Sequence, residues 1–139
     1  MADIIELEIV TPERQVVRDR AEEIQIPGKN GYLGILPGHA PLITELAVGD
    51  ISYTRNGQTT HIAVAWGFAE VLPNKVTVLA ETAERAEEID VRRAEQARTR
   101  AEESLRAGDS EADFDDALNA LHRAETRIEV ARKAGVTSA

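Results

Sequence analysis

Cysteine is absent from the 139-residue sequence, which excludes disulfides, thiolate metal ligands, cysteine nucleophiles and thiol-based redox chemistry. Long apolar runs are missing too. No segment approaches the roughly 18 consecutive apolar residues of a membrane-spanning helix, so direct insertion into a bilayer is not expected. The opening residues, MADIIELEIV, lack a basic start followed by an apolar core and a small-residue cleavage site, so no secretory signal is read and the cytoplasm is the expected compartment. Basic charge is scarce: 16 Lys and Arg stand against 25 Asp and Glu. Such a chain has no cationic surplus for neutralising phosphates, and nucleic acid is not an expected partner. The loops that mark common chemistries, GxSxG, GxxxxGKS and GxGxxG, do not occur. His39, His61 and His122 are scattered, without the close spacing of metal ligands. Neither a catalytic residue nor a metal site is expected, and each histidine reads as structural or superficial.

What the chain does have is a change of rhythm. Residues 4–80 form short alternating or β-branched runs broken by turn residues, the pattern of an antiparallel sandwich of eight to ten strands. Ile5, Leu7 and Ile9 share one strand face, and residues 23–26 alternate. Asn56-Gly57 and Pro73-Asn74 each separate two strand-like runs, 51–53 from 61–65 and 68–72 from 75–79, as hairpin turns do. After residue 80 Gly and Pro almost vanish, and Ala, Glu and Arg carry a helical pattern to Gly108. Asp90 is the expected N-cap of a first helix with the stripe Val91, Ala94, Ala97 or Arg98, Ala101 and Leu105. Asp113 or Ser110 caps a second, with the stripe Phe114, Ala117, Leu118, Leu121, Ala124, Ile128 and Ala131. The expected fold is α+β, an antiparallel β sandwich over residues 1–84 followed by an antiparallel two-helix hairpin over residues 85–139. The seam of that hairpin is mostly alanine, and each methyl-sized group contributes only about 0.8 kcal/mol on burial. The arm therefore needs further support from its own sandwich or from another protein.

Two stretches stand out. Residues 31–43, GYLGILPGHAPLI, present Tyr32, Leu33, Ile35, Leu36 and His39 on a stiff Gly- and Pro-framed loop. The aliphatic residues either tuck into the end of the sandwich or face outward, and Tyr32 and His39 are candidates for partner contact. The second stretch is the set of helical arginines. Most have an acid three or four residues away, as a solvated helix face does, but Arg123 and Arg127 do not, and they lie four apart. With a turn near residues 110 and 111, Arg100 comes level with about residue 121 and Arg93 with about residue 128. Guanidinium forks suit phosphates and carboxylates. A nucleotide, an acidic partner surface and acids elsewhere in the chain all fit.

Together, LGILPGHAPL at 33–42, GFAEV at 67–71, VTVLAETAERAEEID at 76–90 and IDVRRA at 89–94 resemble the epsilon subunit of bacterial-type F-type ATP synthases over essentially the whole chain. The resemblance implies a noncatalytic central-stalk subunit that requires no cofactor of its own. Its sandwich would bind gamma and rest on the c subunits of the rotor ring, at the cytoplasmic face of the membrane in which that proton-translocating complex sits. Loop 31–42, with Tyr32 and His39, matches the ring-facing side; the family commonly has an acid where this chain has Tyr32, so other contacts would serve there. The arm, folded down, would permit ATP hydrolysis; extended toward the catalytic beta and alpha subunits, it would inhibit. IDVRRA fits the family's nucleotide pattern and implicates Ile89, Asp90, Arg93 and Ala94, while Glu84, Arg100, Arg123 and Arg127 fall at matching positions for a regulatory ATP. Two other readings stand beside these: a free-standing ATP-sensing module, and an Asp90 that only caps its helix while the arginines meet an acidic segment of the beta subunit.

Overall fold

Alternation in residues 5–10 places Ile5, Leu7 and Ile9 on one face, and in the computed structural model, which describes residues 3–108 and 110–136, all three are buried. They belong to the first of two compact units, residues 1–85 and 86–139. Seven strands build the first unit: β1 Ile5–Val10, β2 Gln15–Ala21, β3 Glu23–Gly28, β4 Gly31–Ile35, β5 Leu42–Arg55, β6 Gln58–Val71 and β7 Lys75–Arg85. They are hydrogen-bonded in the order β2-β1-β7-β6-β5-β3-β4. Every pairing is antiparallel except β1 with β7, which is parallel. One core of aliphatic side chains, including Ile24, Ile26, Ile35, Ile51 and Ile62, fills the sandwich. Each such side chain contributes about 1.5–3 kcal/mol on burial.

The strands number seven rather than eight to ten because β5 and β6 each run unbroken for 14 residues. The runs 61–65 and 68–72, read as separate strands, belong largely to β6. At the joint, Trp66 and Gly67 have positive φ, 53° and 123°. The register is unchanged across it: Ala65 pairs with Thr82 and Gly67 with Ala80. What changes is parity. Ile62 and Val64 face the core on one side of the joint, Ala69 and Val71 on the other, as happens when a strand bends to serve both layers of a sandwich. Gly67 is required there, since a Cβ would lie 2.0 Å from the Leu79 carbonyl oxygen. The two sequence-expected hairpins form as read. Asn56 and Gly57, with φ of 52° and 77°, make the primed turn between Arg55 and Gln58. Val71 pairs with Val76 across Pro73-Asn74.

The second unit starts with a short 3-10 helix, Ala86–Glu88, and continues with α1 Val91–Ala107 and α2 Glu111–Lys133. Asp90 caps α1, its Oδ1 accepting the Arg93 N–H at 3.1 Å, and Gly108 ends it in the left-handed conformation. Of the two expected caps for α2, Ser110 is the one used, its Oγ accepting the Asp113 N–H. This leaves Asp113 and Glu111 in the first turn, where carboxylates suit the helix dipole. At the far end, the Gly135 and Val136 N–H groups donate to the Arg132 and Ala131 carbonyls, closing a Schellman motif.

The helices pack on one another through Val91, Ala94 and Ala101 against Ala117, Ala124 and Ala131. Phe114 departs from its expected place in the stripe and is 47% exposed. Near the turn the stripe of α1 offers only Leu105, itself half-buried, which cannot cover an aromatic ring. Val130, outside the expected stripe, is fully buried. α2 packs on the 3-10 helix as well as on α1.

Candidate functional site

The junction IDVRRA is accounted for residue by residue by the start of α1. Ile89, Val91 and Ala94 are buried, Asp90 caps, and Arg92 and Arg93 are exposed. The Ala94 N–H donates to the Asp90 carbonyl as the first helical bond. Of the residues expected to form a nucleotide site, Ile89 and Ala94 are therefore buried. Asp90 has one carboxylate oxygen engaged by the backbone, and Arg93 and Arg100 lie on the exposed surface of α1. Arg123 and Arg127 are half-buried on α2, and each interacts with another group of the protein.

α1 ends at Ala107 and α2 begins at Glu111, which sets the pairing of the two helices; position 109 lies outside the described residues. Arg93 then stands opposite about residue 125 and Arg100 opposite about residue 118, at 1.5 Å rise per residue. Arg123 and Arg127 thus bracket Arg93, while Arg100 lies more than a turn nearer the tip. A depression of about 680 Å³ on α1 includes Arg100, but its other lining residues are Arg92, Glu95, Gln96, Arg98, Thr99 and Glu103. Glu84 belongs to the first unit, on β7, paired with Ala63 of β6.

In the sandwich, the loop that carries Tyr32 and His39 divides its side chains. Ile35 is core, Leu33 packs partly against it, and Leu36 is 58% exposed. The His39 Nδ1–H donates to the Ala40 carbonyl at 2.6 Å. The Gly38 N–H donates to Pro73, tying the loop to the β6–β7 turn. Tyr32 sits on β4 and is 59% exposed as a residue, while its hydroxyl oxygen accepts the Asp50 N–H at 3.0 Å in a part-buried bond.

Two features escaped sequence reading. Asp50, buried, meets His61 Nδ1 through Oδ2 at 2.8 Å. The Asn56-Gly57 hairpin register, with Asp50 opposite Ala63 and Ser52 opposite His61, places the two on a diagonal of one face, so the signal was present once the turn was known. The second feature is an outward apolar band. Phe68 and Leu79 are direct cross-strand partners and both exposed, and Ile43, 70% exposed, projects from β5. A cleft of about 360 Å³ beside Leu79 is lined by Val10, Thr11, Pro12, Ala80 and Glu81. Strand alternation flags these residues because they sit out of phase with the core.

Elsewhere in the sandwich Asp19 ties β2 to β5. It accepts from the Tyr53 hydroxyl at 2.9 Å and from Arg55 at 3.0 Å. Burial alone would raise its pKa, but the Arg20 N–H, the Tyr53 hydroxyl and the Arg55 guanidinium together hold it below the usual carboxylate range. Burial, followed by the bond to that carboxylate, pushes Tyr53 up. Among the described residues no group of His, Cys, Asp and Glu is placed to hold a metal, and no helix is long and apolar enough to cross a membrane.

Residues 4–86 match the family described as ATP synthase, Delta/Epsilon chain, beta-sandwich domain, and residues 87–132 match its long alpha-helix domain. The chain is 68% identical over 111 residues to the ATP synthase epsilon chain of Koribacter versatilis, covering 80% of this chain and 78% of that one. It is 47% identical to the ATP synthase epsilon chain of Solibacter usitatus over 133 residues, 96% of this chain and 99% of that one. Its fold is also that of a chain in the Euglena gracilis mitochondrial ATP synthase, with a TM-score of 0.80 at 22% identity, covering 97% of this chain and 82% of the other.

Proposed function

Since the chain belongs to the ATP synthase delta/epsilon chain family as an epsilon chain, we propose that it works as a noncatalytic rotor element whose sandwich docks on gamma and the c ring and whose helical arm restrains ATP hydrolysis. The observation that carries the docking part is the exposed band of Ile43, Phe68 and Leu79. Three large apolar side chains left outward on a well-packed sandwich mark a surface that a partner covers. Loop 31–42 supplies the second contact, toward the ring. In this reading the protein is held peripherally at the cytoplasmic face of the membrane, and the proton path lies in its partners.

The arm supports regulation through its thin seam. A hairpin packed on alanine methyl groups gains little from its own interface, so its position responds to modest inputs. ATP is the proposed input, held within the helical unit by Asp90, Arg93, Arg123 and Arg127, with Ile89 and Ala94 shaping the helix start. A ligand at a hundred times its dissociation constant shifts such an equilibrium by about 2.7 kcal/mol. Isothermal titration with ATP tests this, and no heat at millimolar ATP ends the sensor reading. Size exclusion with gamma tests the docking: coelution is expected, and separate elution favours a free-standing ATP-binding module.

A further inference from the structure

We propose that Arg18 and Arg20, on the edge strand β2, form a cationic rim to the outward apolar face and select a protein surface that sets carboxylates beside apolar side chains. This rests on the reading that the face docks on gamma, and it adds the chemistry that the partner must present there.

Residues directly opposite one another across a ladder share a face of the sheet. Arg18 pairs with Glu8, Glu8 with Thr77, Thr77 with Glu70 and Glu70 with Ile43, so one row crosses five strands from an arginine to an exposed isoleucine. The row on one side of it holds Val10, Leu79 and Phe68, and the row on the other side holds Arg20, Glu6 and Lys75. The apolar band and the two arginines therefore lie on one continuous face. Two strand spacings, about 10 Å, separate β2 from β7, a distance easily spanned by the roughly 800 Å² that each partner gives to a standard interface.

Beside the arginines lies a cleft of about 390 Å³, whose four cations outnumber its three carboxylates in a chain of net charge −9. Two of those carboxylates are already engaged, Asp19 with Arg55 at 3.0 Å and Glu8 with Lys75 at 3.9 Å. Glu6 is left to face Arg18 and Arg20, which are exposed and take no part in either ion pair. One carboxylate cannot neutralise both, and guanidinium forks are shaped to take further carboxylates. Charge on an edge strand also keeps other strands from pairing with it, but that role is indifferent to sign and makes no link with the apolar band. An apolar patch flanked by acids complements this face in both of its properties. Charges at the rim of such a contact act mainly on the rate of association and on its salt dependence.

The experiment measures binding of the full-length chain to the alpha–beta–gamma assembly stripped of its own epsilon chain, by interferometry across about 50 to 500 mM salt. Wild type is compared with the pairs Arg18→Thr, Arg20→Thr and Arg18→Lys, Arg20→Lys, and with the apolar pair Phe68→Thr, Leu79→Thr; threonine keeps strand propensity. Melting of each variant is followed in parallel, and binding is read well below the lowest transition. Loss of two exposed ion pairs should weaken binding about 2- to 30-fold at 50 mM salt, chiefly through slower association. That deficit should shrink to within about twofold at 500 mM, and the lysine pair, which keeps the charge, should stay within about threefold of wild type. Wild-type affinity for the Arg-to-Thr pair at low salt, a deficit that persists undiminished at high salt, or a lysine pair as weak as the threonine pair would each overturn the proposal. If the apolar pair binds as wild type does, or wild type does not bind, the docking reading itself falls and takes this proposal with it.

Discussion

Asp90 is where two roles meet, and replacing it separates them. The Asp90 Oδ1 accepts the Arg93 N–H at 3.1 Å from an extended N-cap residue, and α1 has no acid in its first turn. Asp90→Ala removes the cap, worth about 1 kcal/mol, and the nearest carboxylate to that end of the helix dipole, worth a further few tenths. The loss should total about 1–1.5 kcal/mol. With a urea slope of about 1–1.5 kcal/mol/M for a unit this small, the helical transition followed at 222 nm moves down by about 1 M. Asp90→Ser keeps an oxygen for the Arg93 N–H and should recover most of the stability. ATP titration of the same two variants then decides what else Asp90 does. If the carboxylate touches the nucleotide, both variants lose affinity, although only one is destabilised. If Asp90 only caps, the serine variant binds as well as wild type. A midpoint for Asp90→Ala equal to that of wild type would refute the capping argument itself.

Gly67→Ala should be among the most damaging single changes in the sandwich, since it adds a Cβ 2.0 Å from the Leu79 carbonyl at a φ of 123°. A loss of about 3 kcal/mol or more by urea unfolding is expected, and a near-neutral result would contradict the described backbone. The Phe68→Thr, Leu79→Thr pair, both exposed and direct cross-strand partners, keeps strand propensity without adding like charges and should leave stability within about 1 kcal/mol while abolishing copurification with gamma; retained copurification argues against the apolar band as the docking surface. Acid stability should depend on Asp19: its pKa is lower folded than unfolded, so its contribution is present above the unfolded value near 4 and is lost as pH falls through the folded one. Asp19→Asn should flatten that limb of a stability–pH profile. Tyr53 has the opposite sense, raised on folding, so it contributes below about pH 10 and the contribution fades as pH rises through the folded value. Tyr53→Phe should give a shallower alkaline limb than wild type in the same stability–pH profile.

Local chemistry carried much of the fold into plain view. Asn56-Gly57 can hardly be anything but a primed turn, and Asp90, Ser110 and Gly108 mark helix ends because unsatisfied backbone groups need those residue types. What escaped was set by partners distant in sequence. The merging of two runs into β6 depends on Trp66 and Gly67 taking positive φ while pairing continues with β5 and β7, and alternation breaks at that point just as it would at a loop. Periodicity alone puts Phe114 in the stripe, and periodicity says which way a side chain points but not whether anything stands opposite. The parallel pairing of β1 with β7 joins the two ends of the sandwich sequence, beyond the reach of any local pattern.

The same distinction limits what IDVRRA can say about nucleotide binding. Ile89, Val91 and Ala94 are buried and Asp90 caps α1, so a helix starting here would select an apolar residue, a cap and a small residue at these positions with no ligand present. Their occurrence therefore discriminates weakly between the two roles. Arg93 is different: it is exposed, contributes its backbone N–H to the cap regardless of side chain, and folding does not require a guanidinium there. Arg93→Gln should leave the α1 cap intact and change stability by less than about 0.5 kcal/mol, yet remove a phosphate-binding fork if ATP is the ligand. A variant that folds like wild type and loses ATP affinity more than tenfold supports the site; one that keeps both leaves the motif as a helix start and nothing more.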